Sequence, residues 1–128
     1  MKQWHKNRSF WESYKFALSG IREAYMREAN VRRQIIIFIP VIVLGLALRI
    51  PVSHMAILVL AGGLVLSLEL VNSALEEVED IIWPEYREAI KRSKDVSAGA
   101  VLLASTTALV VGLLILFPPL AKLLLLLY

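Results

Sequence analysis

The 128 residues contain no cysteine, only two histidines, and six glycines that never gather into a loop. Each shortage removes a class of function. Without cysteine there is no disulfide framework, no thiolate metal site and no thiol nucleophile. The glycines at 20, 45, 62, 63, 99 and 112 form no phosphate cradle, and the P-loop pattern does not occur. Protein-kinase signatures are missing too. Charge is equally scarce, with 20% charged residues against 58% hydrophobic ones, more apolar than soluble domains usually are. A soluble domain of this size cannot hide so many continuous aliphatic runs from water. These shortages point to an all-α integral membrane protein, read as one domain over residues 1–128.

What is present is ordered along the chain. Over residues 9–33, Phe10, Tyr14, Ala17, Ile21, Ala24, Glu28 and Val31 follow steps of four and three. They form one stripe at helical period, with Glu12, Lys15, Ser19, Arg22 and Arg27 mostly off it. Such a basic amphipathic helix, with aromatic residues at its margins, suits the membrane surface. Glu28 interrupts the apolar stripe and is the one member that calls for a polar neighbour.

Three apolar segments follow. The first span is expected over 34–50, centred on the uncharged run Ile35 to Leu48, with Pro40 and Gly45 tolerated as they are in membrane helices. Arg49-Ile-Pro-Val-Ser-His54 makes a tight connection in which Ser53 is a candidate N-cap. The second span, 54–82, carries a charged extension and ends before Trp83-Pro84, because proline disfavours helix at the residue preceding it. The third is expected over 95–117, capped by Asp95 or Ser97 and stopped by Pro118-Pro119. An oily tail over 118–128 completes the chain. A charged stretch of about thirty residues ahead of the first apolar run argues against a cleavable signal.

Eight of the 14 lysines and arginines lie between Lys2 and Arg33, and four more (Arg87, Lys91, Arg92, Lys94) lie in the loop after the second span. Arg49 and Lys122 alone fall elsewhere. The positive-inside rule therefore predicts a cytoplasmic N-terminus, and three crossings then put the C-terminus outside. Basic residues tied in this way to apolar spans do not read as a nucleic-acid surface.

Chemistry concentrates at the inner end of the second span. Glu69, Asn72, Glu76 and Asp80 are spaced three, four and four apart, so they share a helical face over roughly 16 Å of axis. Glu77 and Glu79 read as part of a solvated helix end. Glu69 does not, because an ionisable residue among aliphatic neighbours is costly unless it faces a partner or a wet cavity. Oxygen ligands without histidine or cysteine suit Mg²⁺, which takes one or two carboxylates and fills its shell from phosphate. One of Glu69 and Glu76 can then hold metal while the other accepts a proton, with Glu28 as the natural second ligand. Lys94 and Asp95 offer a cation for phosphate and a cap at a helix start. A proton or ion relay through Glu69 and Glu76 is the rival class, but Ile35 to Leu48 supplies no polar group for one.

The run Glu69-Leu-Val-Asn72-Ser-Ala-Leu-Glu76-Glu-Val-Glu-Asp80 resembles the signature of the small prokaryotic diacylglycerol kinase family, E-x-x-N-S/T-A-I/L-E-x-x-x-D. Lys94-Asp95, Ala98-Gly-Ala-Val-Leu102, Gly20 and Glu28-Ala-Asn30 extend the likeness over nearly the whole chain before the tail. The resemblance implies a homotrimer with composite active sites between subunits, and MgATP as phosphoryl donor to a lipid alcohol. It makes Glu69 the general base on that alcohol, with Asn72 helping to position it. Glu28 and Glu76 become the Mg²⁺ and nucleotide ligands, Asp80, Lys94 and Asp95 further nucleotide contacts, and Glu85 a contact for the adenosine end. Ala98 is carried over, with Glu69, as a substrate contact. The family has a diacylglycerol branch and an undecaprenol branch. Ala98-Gly-Ala-Val-Leu102 and the opening from Asn7 look more like the second, so undecaprenol is the expected acceptor and diacylglycerol the alternative.

Overall fold

The computed structural model describes residues 9–126, which form four helices with no strand among them. The opening through Arg8 and the last two residues of the apolar tail lie outside the described residues, and with them the likeness carried by Asn7.

Helix α1, Phe10–Arg27, opens with a reciprocal capping box. The Glu12 amide donates to Ser9 Oγ at 3.3 Å, and the Ser9 amide donates to Glu12 Oε2 at 3.0 Å. None of its residues is buried, and Phe10, Trp11, Ile21 and Met26 are exposed. That suits a helix lying at an interface.

The expected surface helix of 9–33 is divided. Glu28 adopts φ −94°, ψ 116°, which ends α1, and α2 runs Ala29–Ala47. The break is held by Arg32, whose guanidinium donates to the carbonyls of Tyr25 and Met26 at 3.1 and 3.0 Å. It thereby satisfies acceptors that the end of α1 leaves open. The first apolar helix therefore begins at residue 29 rather than 34. Its 19 residues reach about 28 Å, close to the thickness of a bilayer core.

Helix α2 closes in a Schellman turn. The Ile50 amide donates to Gly45 O and the Arg49 amide to Leu46 O, with Arg49 at φ 50°. Arginine takes the left-handed position that glycine usually fills, and Pro51 follows at once. Helix α3, Val52–Ile82, starts directly after Pro51, so Ser53 lies inside the helix and is not its cap. The helix stops at Trp83, one residue before Pro84, and Arg87 stacks 3.7 Å over the Trp83 ring.

Helix α4, Glu88–Leu126, differs from expectation at both ends. It begins about two turns before Asp95. There Glu88 pairs with Arg92 and Lys91 with Asp95 at i,i+4 spacing, so Asp95 braces the helix instead of capping it. At the far end the helix continues through Pro118 and Pro119. The two prolines remove the bonds that would run back to Leu114 and Ile115, but their fixed φ is helical and the following leucines resume the pattern. Its 39 residues span roughly 58 Å, so α4 is longer than a bilayer core is thick.

Helices α2, α3 and α4 are each long and apolar enough to cross a membrane. Helix α4 packs most extensively on α3, α2 packs on α3 and also touches α4, and α1 rests against both α2 and α3. Val31, Leu58, Val65, Val101, Ala104 and Leu116 form the buried core. Leu60, Leu102, Leu103 and Leu114 face outward, as they must where lipid is the solvent.

Gly62 sets the approach of α2 to α3, because a Cβ there would lie 2.1 Å from the Phe38 ring. Gly62→Ala is expected to destabilise the bundle by about 1–3 kcal/mol, measured by denaturant unfolding in detergent. Phe38→Leu should recover part of that loss in the double variant. Full wild-type stability for Gly62→Ala alone would show that this contact does not set the helix spacing.

Candidate active site

The inner end of α3 carries the chemistry because its apolar face runs on into a polar row without a break in the helix. Glu69 is 3% exposed and Asn72 7%, whereas Glu76 is half-buried and Asp80 exposed. The row thus climbs from the bundle interior to solvent. A carboxylate as buried as Glu69 needs compensation. The Asn30 side chain, near the start of α2, lies against it, and Glu28 and Glu76 are its carboxylate neighbours. Glu28 ends α1 on the stripe that also carries Ala17, Ile21 and Ala24, and this stripe faces Leu70, Ser73 and Ala74 of α3.

Asn72 is fixed from two sides. Its Nδ2 donates to Glu76 Oε1 at 3.0 Å, and its Oδ1 accepts from Ser97 Oγ at 2.6 Å. The Ser97 hydroxyl also sits 3.0 Å from the Lys94 carbonyl. A chain of side chains therefore runs from α4 through Asn72 to the Glu76 carboxylate. One layer closer to solvent, Lys94 on α4 forms an ion pair with Asp80 on α3. The two links tie the α3–α4 pair together at the site.

Beneath α1 lies a cavity of about 350 Å³. Gly20, Glu23, Arg27 and Glu28 line it from the α1 side, and Ser73 and Glu77 from α3. Arg27 bonds Glu23 at 2.7 Å and reaches to within 3.9 Å of Glu77, so one guanidinium links the surface helix to the cavity wall.

Of the residues singled out from sequence, Glu28, Glu69, Asn72 and Glu76 come together, with Lys94 and Asp80 paired beside them. Three do not join them. Glu85 is exposed on the α3–α4 connection, Asp95 is exposed and paired with Lys91, and Ala98 is exposed on α4. Glu77 is exposed as expected of a solvated end, but Glu79 has a carboxylate oxygen shut off from solvent with no hydrogen-bond partner among the described residues. The bond made by Asn72 goes to Glu76, while Asn30 serves Glu69.

Ser97 and Asn30 are the site residues that sequence reasoning undervalued. Ser97 was expected only as a cap, although it is the first polar side chain in an otherwise apolar stretch of α4. Asn30 entered only as part of a motif, although it lies two residues beyond an already anomalous Glu28.

The fold and site define a class: a three-span helical membrane protein with a carboxylate–amide cluster at one end of its bundle. The family model for prokaryotic diacylglycerol kinase matches residues 15–116. A diacylglycerol kinase of Synechocystis is 38% identical over 112 residues, covering 87% of this chain and 64% of its own. The chain thus spans about two thirds of that relative. An undecaprenol kinase of Bacillus subtilis is 31% identical, covering 91% of this chain and 96% of its own. A diacylglycerol kinase of Escherichia coli is 30% identical, covering 80% and 84%. The chain belongs to the prokaryotic diacylglycerol kinase family, a family of membrane lipid kinases.

Ser97→Ala removes the α4 end of the chain to Glu76 and leaves the Asn72 oxygen unpaired. Lipid kinase turnover should fall roughly three- to tenfold, with Ser97→Thr retaining most of it. Turnover equal to wild type in the alanine variant would show that Asn72 needs no anchor on α4.

Proposed function

We propose that the protein transfers the γ-phosphoryl group of MgATP to the hydroxyl of a long-chain membrane alcohol at the cytoplasmic face of a bacterial inner membrane. The observation that carries this reading is the position of Glu69, shielded from solvent among aliphatic residues while Glu28 and Glu76 stand beside it. Phosphoryl transfer asks a protein chiefly for positioning and charge neutralisation. A lipid hydroxyl entering from the apolar side meets Glu69 first, and Glu69 accepts its proton as the oxygen attacks. Asn30 holds that carboxylate in place, and Asn72 holds Glu76.

The donor set fits Mg²⁺. Three acidic side chains near one another repel unless a cation joins them, and Mg²⁺ takes few protein ligands when phosphate oxygens are at hand. Among the described residues no three acidic or imidazole groups close around a single point. Glu28 and Glu76 are the two that would hold the ion, leaving the rest of its shell to ATP and water. Bound there, it would neutralise charge on the phosphates. Lys94, in its pair with Asp80, is one cation for the same phosphates and Arg27 in the lining of the cavity under α1 is another, and that cavity gives the nucleotide room on the solvent side. Asp95 and Glu85 are the outer contacts in this reading, and Glu85 would serve the adenosine end.

Undecaprenol is the acceptor favoured by Ala98-Gly-Ala-Val-Leu102 and by the extent of the match to the Bacillus subtilis kinase. Diacylglycerol is the second reading, favoured by the higher identity to the Synechocystis kinase and by a hydroxyl in the apolar groove described below. The charge distribution supports a cytoplasmic N-terminus. The resemblance supports a homotrimer whose neighbouring copies complete each site.

Glu69→Gln should abolish turnover on both lipid alcohols yet keep MgATP affinity, since it removes the base and spares the metal ligands. Glu76→Gln and Glu28→Gln should each weaken ATP binding at least tenfold, and only when Mg²⁺ is present. Isothermal titration with and without Mg²⁺, alongside a phosphorylation assay, reads both effects. Normal turnover in Glu69→Gln would end the assignment of the base. Unchanged MgATP affinity in both other variants would remove the metal from this pair.

A further inference from the structure

A second cavity, of about 490 Å³, lies between α2, α3 and α4 and is almost wholly apolar. Gln34, Phe38, Val65, Leu66 and Leu116 are among its lining residues, and so is Ser105. The groove's lining comes within about one turn of the site already described. Val65 and Leu66 lie about one turn below Glu69 on α3, and Gln34 about one turn beyond Asn30 on α2.

Ser105 is the feature that an aliphatic groove does not require. Three other hydroxyls in the spans are satisfied by their own helix: Ser67 donates to Gly63 O, Thr106 to Leu102 O and Thr107 to Leu103 O. Ser105 makes no such bond to Val101. Its hydroxyl oxygen is closed off from solvent and has no partner among the described residues. A shielded hydroxyl without a partner is unfavourable, the more so where no water competes. Because Ser97 bonds Asn72, counting residues from that contact puts Ser105 roughly 7 Å deeper along the bundle than Glu69.

We propose that Ser105 is the residue that ranks acceptor lipids in this groove, donating a hydrogen bond to the ester carbonyl of a glycerolipid alcohol whose free hydroxyl is at Glu69. The inference rests on the lipid kinase reading above and deepens it. In diacylglycerol an ester carbonyl lies a few bonds from the free hydroxyl, within the reach that the depth of Ser105 sets. Undecaprenol has the same reactive group but offers only hydrocarbon and double bonds at that depth, so it fills the groove and leaves Ser105 unpaired. The groove admits both acceptors, and the hydroxyl favours the one that carries a carbonyl.

The test compares wild type with Ser105→Ala in mixed micelles with MgATP, using three acceptors: a diacylglycerol, its dialkyl ether analogue lacking carbonyls, and undecaprenol. Ser105→Ala should lower kcat/KM for the diacylglycerol roughly five- to tenfold, through KM. It should leave the ether analogue and undecaprenol within twofold of wild type or slightly improved. Equal losses on all three acceptors would make Ser105 merely structural and overturn the proposal, as would no loss on the diester. So would wild-type activity confined to undecaprenol, or a changed oligomeric state in the variant, which would assign the groove to a second copy of the chain. Absence of wild-type phosphorylation on every acceptor would instead overturn the kinase reading itself.

Discussion

Glu69 is held nearly out of solvent on a helix that is almost wholly aliphatic for the four turns before it, and the arrangement around it follows from that burial. Taking a carboxylate out of water costs several kcal/mol unless charge or hydrogen bonds return the stabilisation. Asn30 supplies one neutral contact. The other neighbours, Glu28 and Glu76, have the same sign and make the isolated cluster less favourable. Lys94, the nearby cation, is already engaged with Asp80. A cluster so constituted favours a cation, which in the proposed reaction would be the Mg²⁺ that accompanies the phosphoryl donor.

The helices are cut to serve this cluster. Glu28 closes the α1 stripe of Ala17, Ile21 and Ala24 that faces α3. One residue in an extended conformation turns the chain, and Arg32 ties off the carbonyls that the turn exposes. The same break lets α1 lie across the bundle end over a cavity while α2 descends. Helix α4 is longer than a bilayer core is thick, and its charged first turns bring Lys94 and Ser97 alongside Asp80 and Asn72. Surplus helix length at that end places polar side chains where a helix confined to the hydrocarbon has none.

Much of this is legible from residue order alone. Three apolar runs, Pro84 after Trp83 and the three-four-four spacing of Glu69, Asn72, Glu76 and Asp80 are local patterns, so helix geometry converts them directly into spans and a polar face. What escapes is set by contacts between helices. Nothing local at Glu28 announces a break, because the arginine that stabilises it lies four residues on and acts through its long side chain. Pro118-Pro119 reads as a stop because two amide donors are lost, yet the proline ring angle is helical and the leucines beyond it resume the helix. Ser97 was an expected cap because capping is a property of one helix, whereas its bond to Asn72 needs the antiparallel neighbour. The hydroxyl of Ser105 looks like those of Thr106 and Thr107 in sequence, and differs from them only in which partner its own helix provides.

The two contacts between α3 and α4 do more than brace the pair. Asp80–Lys94 and Asn72–Ser97 lie about two helical turns apart along α3 but only about one apart on α4, so they fix the register of the antiparallel pair rather than only its spacing. Any slide of α4 along α3 would strain both contacts together. It would also turn the Asn72 amide and with it the Glu76 carboxylate. The position of a half-buried carboxylate is in this way tied to an ion pair at the solvent edge. A ligand that competes for Lys94 therefore acts on the register that holds Glu76, so the solvent edge and the buried part of the polar row are coupled through one pair of helices.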